Sequence, residues 1–214
     1  MDKQFAIFDM DGTLIDSMGY WKTLAAEYLK TKRISTISRE MSERIKPMTM
    51  SESAAYFHQE FHLPGTPETI AEEMNQMMGA HYKKDIPLKP GVKEYLYSLK
   101  NAGVSMCVAS ATAGPLMEAC LERLGVLELF EFLISCESVG AGKDRPDVYF
   151  AAAKRLGGRI QDTAVYEDAL YAARTAKNAG FYVVGIYEES SLADWDQMRQ
   201  TADEVIRDWS GISI

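Results

Sequence analysis

The stretch Phe5-Ala6-Ile7-Phe8-Asp9-Met10-Asp11-Gly12-Thr13-Leu14-Ile15-Asp16 decides the fold. Its first four residues are an unbroken apolar run, the pattern of a short strand buried on both faces. Asp9 and Asp11 follow at once, and Gly12-Thr13 ends the run. In an extended chain, side chains two apart point the same way, about 7 Å from each other. Where the strand ends the backbone can curl, so both acids can face one small volume. Bare carboxylates held that close raise one of their pKa values. A hard cation such as Mg²⁺ removes the conflict, because it binds oxygen ligands. A solvated turn accounts for the Asp-Gly dipeptide. It does not account for an apolar strand that runs straight into two acids.

Outward from this stretch the pattern alternates. Further strands are predicted over Val104–Ala109, Phe132–Ser135, Thr163–Tyr166, Phe181–Ile186 and, at an edge, Glu204–Ile206. Between them lie helical patterns over Val92–Asn101, Pro115–Arg123, Asp147–Leu156, Ala169–Asn178 and Ala193–Arg199. Strands alternating with helices imply right-handed parallel crossovers and a sheet covered on both faces, a doubly wound, Rossmann-like α/β core. Residues 17–85 break the alternation with helices alone. These are centred on Trp21–Leu29 and run over Ser38–Ile45, Ser51–Phe61 and Pro67–Tyr82. Ser51 can cap the third of these. Thr66-Pro67 with Glu68 supplies a cap, a first-turn proline and a first-turn acid for the fourth. Residues 1–16 and 86–214 are therefore expected to form the α/β core, and 17–85 an inserted helical domain.

The chain has 214 residues, 47% of them apolar, enough for such a core and against disorder. Its 23 Lys and Arg against 31 Asp and Glu give a net charge of −8. That balance disfavours non-specific binding to nucleic acid. Residues 17–85 hold nine basic and nine acidic residues, so the whole acidic excess lies outside them. Cys107, Cys120 and Cys136 are an odd number with no CxxC spacing, which suggests neither a disulfide frame nor a zinc site. The three histidines, His58, His62 and His81, form no paired ligand set. No signal-length apolar segment opens the chain and no run is long enough to span a membrane. A cytoplasmic monomer without membrane or nucleic-acid partners is the expectation.

In doubly wound sheets, ligands bind at the carboxyl ends of the strands. Three further groups stand there. Ser110-Ala111-Thr112 offers hydroxyls and backbone N–H groups that can hold phosphate oxygens or can cap the next helix. Lys143, after Gly142 and before Pro146-Asp147, can bring an ammonium to a transferring phosphate and to Asp9, or can be a solvated loop lysine. Glu167-Asp168 can form an oxygen cage for Mg²⁺, or Asp168 can cap a helix.

Asp9-Met10-Asp11-Gly12-Thr13 resembles the first motif of the haloacid dehalogenase superfamily in its phosphatase branch. Ser110, Lys143 with Pro146-Asp147, and Glu167-Asp168-Ala169 with Ala179-Gly180 resemble its other three, in the same order. Asp144 stands where the family usually has proline, and Ala169 where it usually has serine. The resemblance implies a two-step, Mg²⁺-assisted hydrolysis of phosphomonoesters. Asp9 is then the nucleophile and Asp11 the general acid and base. Asp9, Asp168, Glu167 and the carbonyl of Asp11 hold the metal, while Ser110, Ala111 and Lys143 bind the phosphoryl group. The helical insertion matches the cap of the β-phosphoglucomutase-like subgroup, which closes to exclude water and to select a small-molecule phosphate. In the cap, Met50 falls where the mutases carry an arginine for a second phosphate, which favours a phosphatase over a mutase. Lys46 is a cap residue that could reach substrate, and the only feature pointing to a phosphonate hydrolase. A non-catalytic phosphate-binding protein is the remaining alternative.

Overall fold

The computed structural model describes residues 3–212 apart from 35–37, 46, 47 and 49. Met1–Met18 with Ile86–Ile214 form one compact unit, and Gly19–Asp85 form a second.

In the first unit the described residues build one parallel sheet. Its strands are β1 (Phe5–Phe8), β2 (Ser105–Ser110), β3 (Phe132–Ser135), β4 (Thr163–Glu167), β5 (Tyr182–Ile186) and β6 (Glu204–Ile206), in the spatial order β3-β2-β1-β4-β5-β6. The doubly wound α/β core read from the alternation is the fold observed. β1 lies in the interior of the sheet, with Ile7 opposite both Cys107 and Val165. That position explains its unbroken apolar run, since both faces are covered.

Period-two alternation splits the core into two layers. On one face Ile7, Cys107, Ala109, Val165 and Val183 pack with Val148, Tyr149, Ala152 and Ala153 and with Leu170, Ala173 and Ala176. On the other, Phe8 stacks on Tyr166 at 4.2 Å between ring centroids, and Tyr95 and Trp209 close around Tyr166. Gly185 interrupts the apolar run of β5 for a packing reason: a Cβ there would meet Met198 at 2.7 Å. The cysteines are buried members of this core, and burial pushes all three thiols up, Cys120 to about 11.

Two strands extend further than their hydropathy predicts. β2 runs on to Ser110, which pairs with Ser135, and β4 runs on to Glu167, which pairs with Gly185. The polar groups at these positions are therefore the last rungs of the sheet and not loop residues. The chain entering and the chain leaving the 17–85 segment are joined at their bases within this unit. Asp16 N–H donates to Pro87 O at 3.0 Å, and Lys89 N–H to Leu14 O at 2.9 Å.

The second unit contains α1 (Met18–Thr31, entering from the first unit), α2 (Arg39–Ile45), α3 (Met50–Phe61) and α4 (Pro67–Lys84). Leu24, Tyr28 and Leu29 of α1, Ala54 and Phe57 of α3, and Ile70, Met74, Met78 and Tyr82 of α4 are buried. Met74 and Met78, one turn apart on α4, are thus core packing. Thr66 caps α4 as read, and Thr69 returns a reciprocal bond to it. Ser51 does not cap α3, because that helix starts one residue earlier, at Met50. Among the described residues no helix is long and apolar enough to cross a membrane.

Candidate active site

The site is built at the carboxyl ends of β1 and β4. Asp9 is the first residue past β1, and its N–H still donates to Tyr166 O at 3.0 Å, continuing the β1–β4 ladder. The chain then curls: Leu14 and Ile15 N–H both return to Met10 O, and Gly12 N–H to Ile15 O. Gly12 makes this curl possible with φ +82°, and a Cβ on it would stand 2.3 Å from Asp168 Oδ2. Asp168 therefore comes close to the backbone of the first motif, and only glycine leaves it room. Thr13 Oγ1 donates a long bond, 3.4 Å, to Asp168 Oδ1.

Glu167 ends β4 and Asp168 follows it. Asp168 does not cap α9 (Leu170–Asn178): the residue at the cap is Ala169, which makes no side-chain bond. The acid is buried instead beside Asp9 and Glu167, and ligand oxygens of the three lie within 4.8 Å of one another. Lys143 enters from the loop between α7 (Cys136–Val139) and α8 (Asp147–Leu156). It is buried, and its Nζ donates to Asp9 Oδ1 and, at 2.6 Å, to Glu167 Oε1. The solvated-loop reading of this lysine does not hold. Arg145, two residues on, is exposed and paired with Asp147.

One ammonium among three buried acids leaves negative charge in excess. Burial pushes Glu167 up to about 7, opposed by the charge of Lys143 and reinforced by Asp9. Burial also raises Asp168, with the charges of Asp9 and Glu167 adding to it. Asp9 is raised by burial against the pull of Lys143. Burial alone would lower Lys143, but Asp9 and Glu167 hold it well above the usual lysine range. Asp9 Oδ2 is buried with no hydrogen-bond partner among the described residues. An orphaned acceptor inside an acid-rich group is what a hard cation would complete.

Asp11 lies outside this group of three. Its Oδ2 accepts from Thr112 Oγ1 at 2.7 Å, while Thr112 N–H donates to Ser110 Oγ at 3.0 Å. Ser110 is buried at the end of β2 and Ala111 is exposed at the following turn. The residue at the cap of α6 (Gly114–Arg123) is Ala113, so neither Ser110 nor Thr112 is spent on capping that helix. Lys46 lies outside the described residues. Two partners escape a reading of the sequence. Thr112 was legible as a phosphate holder or a cap, but not as a donor to Asp11. Tyr149, on the apolar face of α8, looks like any core aromatic, yet its hydroxyl donates to Glu167 Oε1 at 2.7 Å.

A doubly wound α/β fold with a buried Asp-Lys-Glu-Asp constellation at the carboxyl ends of its strands defines a protein with a ligand site where that fold class places one, lined by oxygen donors that could hold a metal ion. The model of the haloacid dehalogenase-like hydrolases matches residues 6–186, and the chain is a member of that family. Among its relatives, the bifunctional riboflavin kinase/FMN phosphatase of Arabidopsis thaliana is 29% identical over 201 residues. That match takes in 94% of this chain but 52% of the plant protein, so the chain spans about half of that relative's length. The β-phosphoglucomutase of Bacillus subtilis is 28% identical over 209 residues, covering 92% of this chain and 89% of the mutase. Among solved structures, a haloacid dehalogenase hydrolase of family IA, variant 3, from Entamoeba histolytica superposes with a TM-score of 0.82 at 22% identity. It covers 99% of this chain and 96% of its own.

Proposed function

We propose that this hydrolase is a Mg²⁺-dependent phosphatase acting on small organic phosphomonoesters, sugar phosphates or related metabolites, through an aspartyl-phosphate. The observation that carries this reading is the buried contact of Lys143 with both Asp9 and Glu167, beside Asp168. The donors suit a hard divalent cation: they are all carboxylate oxygens, and one of them, Asp9 Oδ2, has no hydrogen-bond partner among the described residues. Asp9, Glu167 and Asp168, with the main-chain carbonyl of Asp11, would hold it. Bound there, Mg²⁺ supplies positive charge against the phosphoryl oxygens.

The chain's own groups carry the steps. A carboxylate oxygen of Asp9 attacks phosphorus in line, and the bond to the ester oxygen breaks. Asp11 gives a proton to that leaving oxygen. It then takes one from the water that attacks the aspartyl-phosphate, releasing inorganic phosphate and restoring Asp9. Lys143, Ser110 and the N–H of Ala111 stabilise the charge on the transferring group.

The similarity to a β-phosphoglucomutase favours one other reading, a sugar-phosphate mutase. A mutase must grip a second phosphate, and Met50 offers no fork of donors where those enzymes have arginine. The test is phosphate release from a panel of phosphomonoesters that includes β-glucose 1-phosphate, with and without Mg²⁺, beside Asp9→Asn. Mg²⁺-dependent release lost in the variant is the expected result. Conversion of β-glucose 1-phosphate to the 6-phosphate without release would establish the mutase instead.

A further inference from the structure

Tyr149 belongs to none of the four motifs; it sits in the first turn of α8, in the layer formed by Val148, Ala152 and Ala153. Its ring is fully buried and meets the edge of Phe181 at 6.1 Å between centroids. Phenylalanine would fill that space equally well, so packing does not account for the hydroxyl. The hydroxyl donates to Glu167 Oε1 at 2.7 Å, and Lys143 Nζ donates to the same oxygen at 2.6 Å. Lys143 Nζ donates in turn to Asp9 Oδ1. The chain Tyr149–Glu167–Lys143–Asp9 thus runs from the core of the sheet to the acid at the end of β1. Two donors on one carboxylate oxygen fix both the rotation of the carboxylate and the direction of its other oxygen.

We infer that Tyr149 is a positioning residue: its hydroxyl locks Glu167, and through Glu167 it sets Lys143 on Asp9 and directs the second Glu167 oxygen toward the metal. This inference rests on the proposed metal-dependent chemistry of the same site. Without the hydroxyl, Glu167 keeps one donor and can swing about it, and the ammonium loses a fixed partner. Groups that orient metal ligands in this way are typically worth about 10–100-fold in metal affinity or activity when removed.

The test is Tyr149→Phe in the full chain, which keeps the ring and its contact with Phe181. Thermal unfolding in EDTA checks that the variant folds. Calorimetric titration with Mg²⁺ alone is the primary readout, and the expected result is an affinity about 10-fold or more below wild type. On the best substrate of the panel, kcat should fall by a similar factor while KM stays within about twofold, a split that a general loss of fold does not produce. In wild type with labelled tyrosine rings, the Tyr149 resonance should shift on addition of Mg²⁺, which needs no variant. A Tyr149→Phe protein that binds Mg²⁺ as wild type does overturns the inference, whatever its turnover. A Tyr149 resonance indifferent to Mg²⁺, or a wild type that binds no Mg²⁺, does the same. The phosphatase reading is judged separately, on wild type against Asp9→Asn. Absence of release there would remove that reading and leave the calorimetry to decide Tyr149.

Discussion

A single methyl group on Gly12 is the smallest change that should disable the site. Its φ of +82° disfavours any side chain, and the added carbon would lie 2.3 Å from Asp168 Oδ2. The left-handed backbone alone costs about 1–2 kcal/mol, and Asp168 must also retreat from Asp9 and Glu167. Gly12→Ala is expected to fold with a lower melting temperature and to lose about 10-fold or more in Mg²⁺ affinity, read by calorimetry. Wild-type affinity in that variant would show that Asp168 does not need this approach. Asp9, Glu167 and Asp168 were legible because each stands where a strand ends, and the sheet brings strand ends together; Lys143, on the loop between α7 and α8, was legible from its place before Pro146-Asp147. Thr112 and Tyr149 were not legible as partners. Their bonds cross 101 and 18 residues of chain, and nothing local marks a core tyrosine whose hydroxyl has a second task.

Among elements, α4 shows what a sequence reading can and cannot reach. Its start was legible in Thr66-Pro67, since capping is local chemistry. Its last turn was not. His81 there belongs to no paired ligand set, and both its ring nitrogens meet carboxylates, Asp85 at 2.8 Å and Glu27 of α1 at 3.1 Å, with the Tyr20 ring tilted against it. Burial alone would lower its pKa, but the bonds to Asp85 and Glu27 outweigh it and raise the group above its ordinary value. A raised folded-state value means the charged pairings stabilise fully below the unfolded pKa of about 6.5. That contribution is lost as pH rises through the higher folded value. Solvent reaches these side chains, so the pairings are worth only about 0.2–1 kcal/mol each. His81→Gln should lower the melting temperature below pH 6 and flatten its decline toward pH 8. A proton NMR titration of the His81 ring with a midpoint at or below 6.5 would dispose of the argument. The short helix α7, capped by Ser135, escaped the reading for another reason: four residues are too few to show a 3.6-residue period.

At the scale of the whole molecule, the buried acids couple the stability of the chain to pH and, on the proposed reading, to metal as well. Glu167 is pushed by burial up to about 7, and burial raises Asp9 and Asp168 above their ordinary values too. Between the ordinary carboxylate range, near pH 4, and about pH 7, the folded chain therefore holds more protons than the unfolded chain. Stability falls with rising pH wherever that is so. In EDTA the melting temperature should decline from pH 5 to pH 7.5, and the net charge of −8 adds repulsion in the same direction. On the proposed reading, Mg²⁺ would bind the ionised carboxylates in competition with protons and would stabilise the folded state by mass action. The rise in melting temperature on adding Mg²⁺ should accordingly be small at pH 5 and large at pH 7.5. Asp168→Asn removes one charge and one ligand at once. It should lift the EDTA melting temperature at pH 7.5 and abolish most of the Mg²⁺ effect. A variant that loses the Mg²⁺ effect without gaining stability in EDTA would mean the three acids do not burden the metal-free fold. Equal Mg²⁺ effects at the two pH values would mean that these carboxylates are not the ligands.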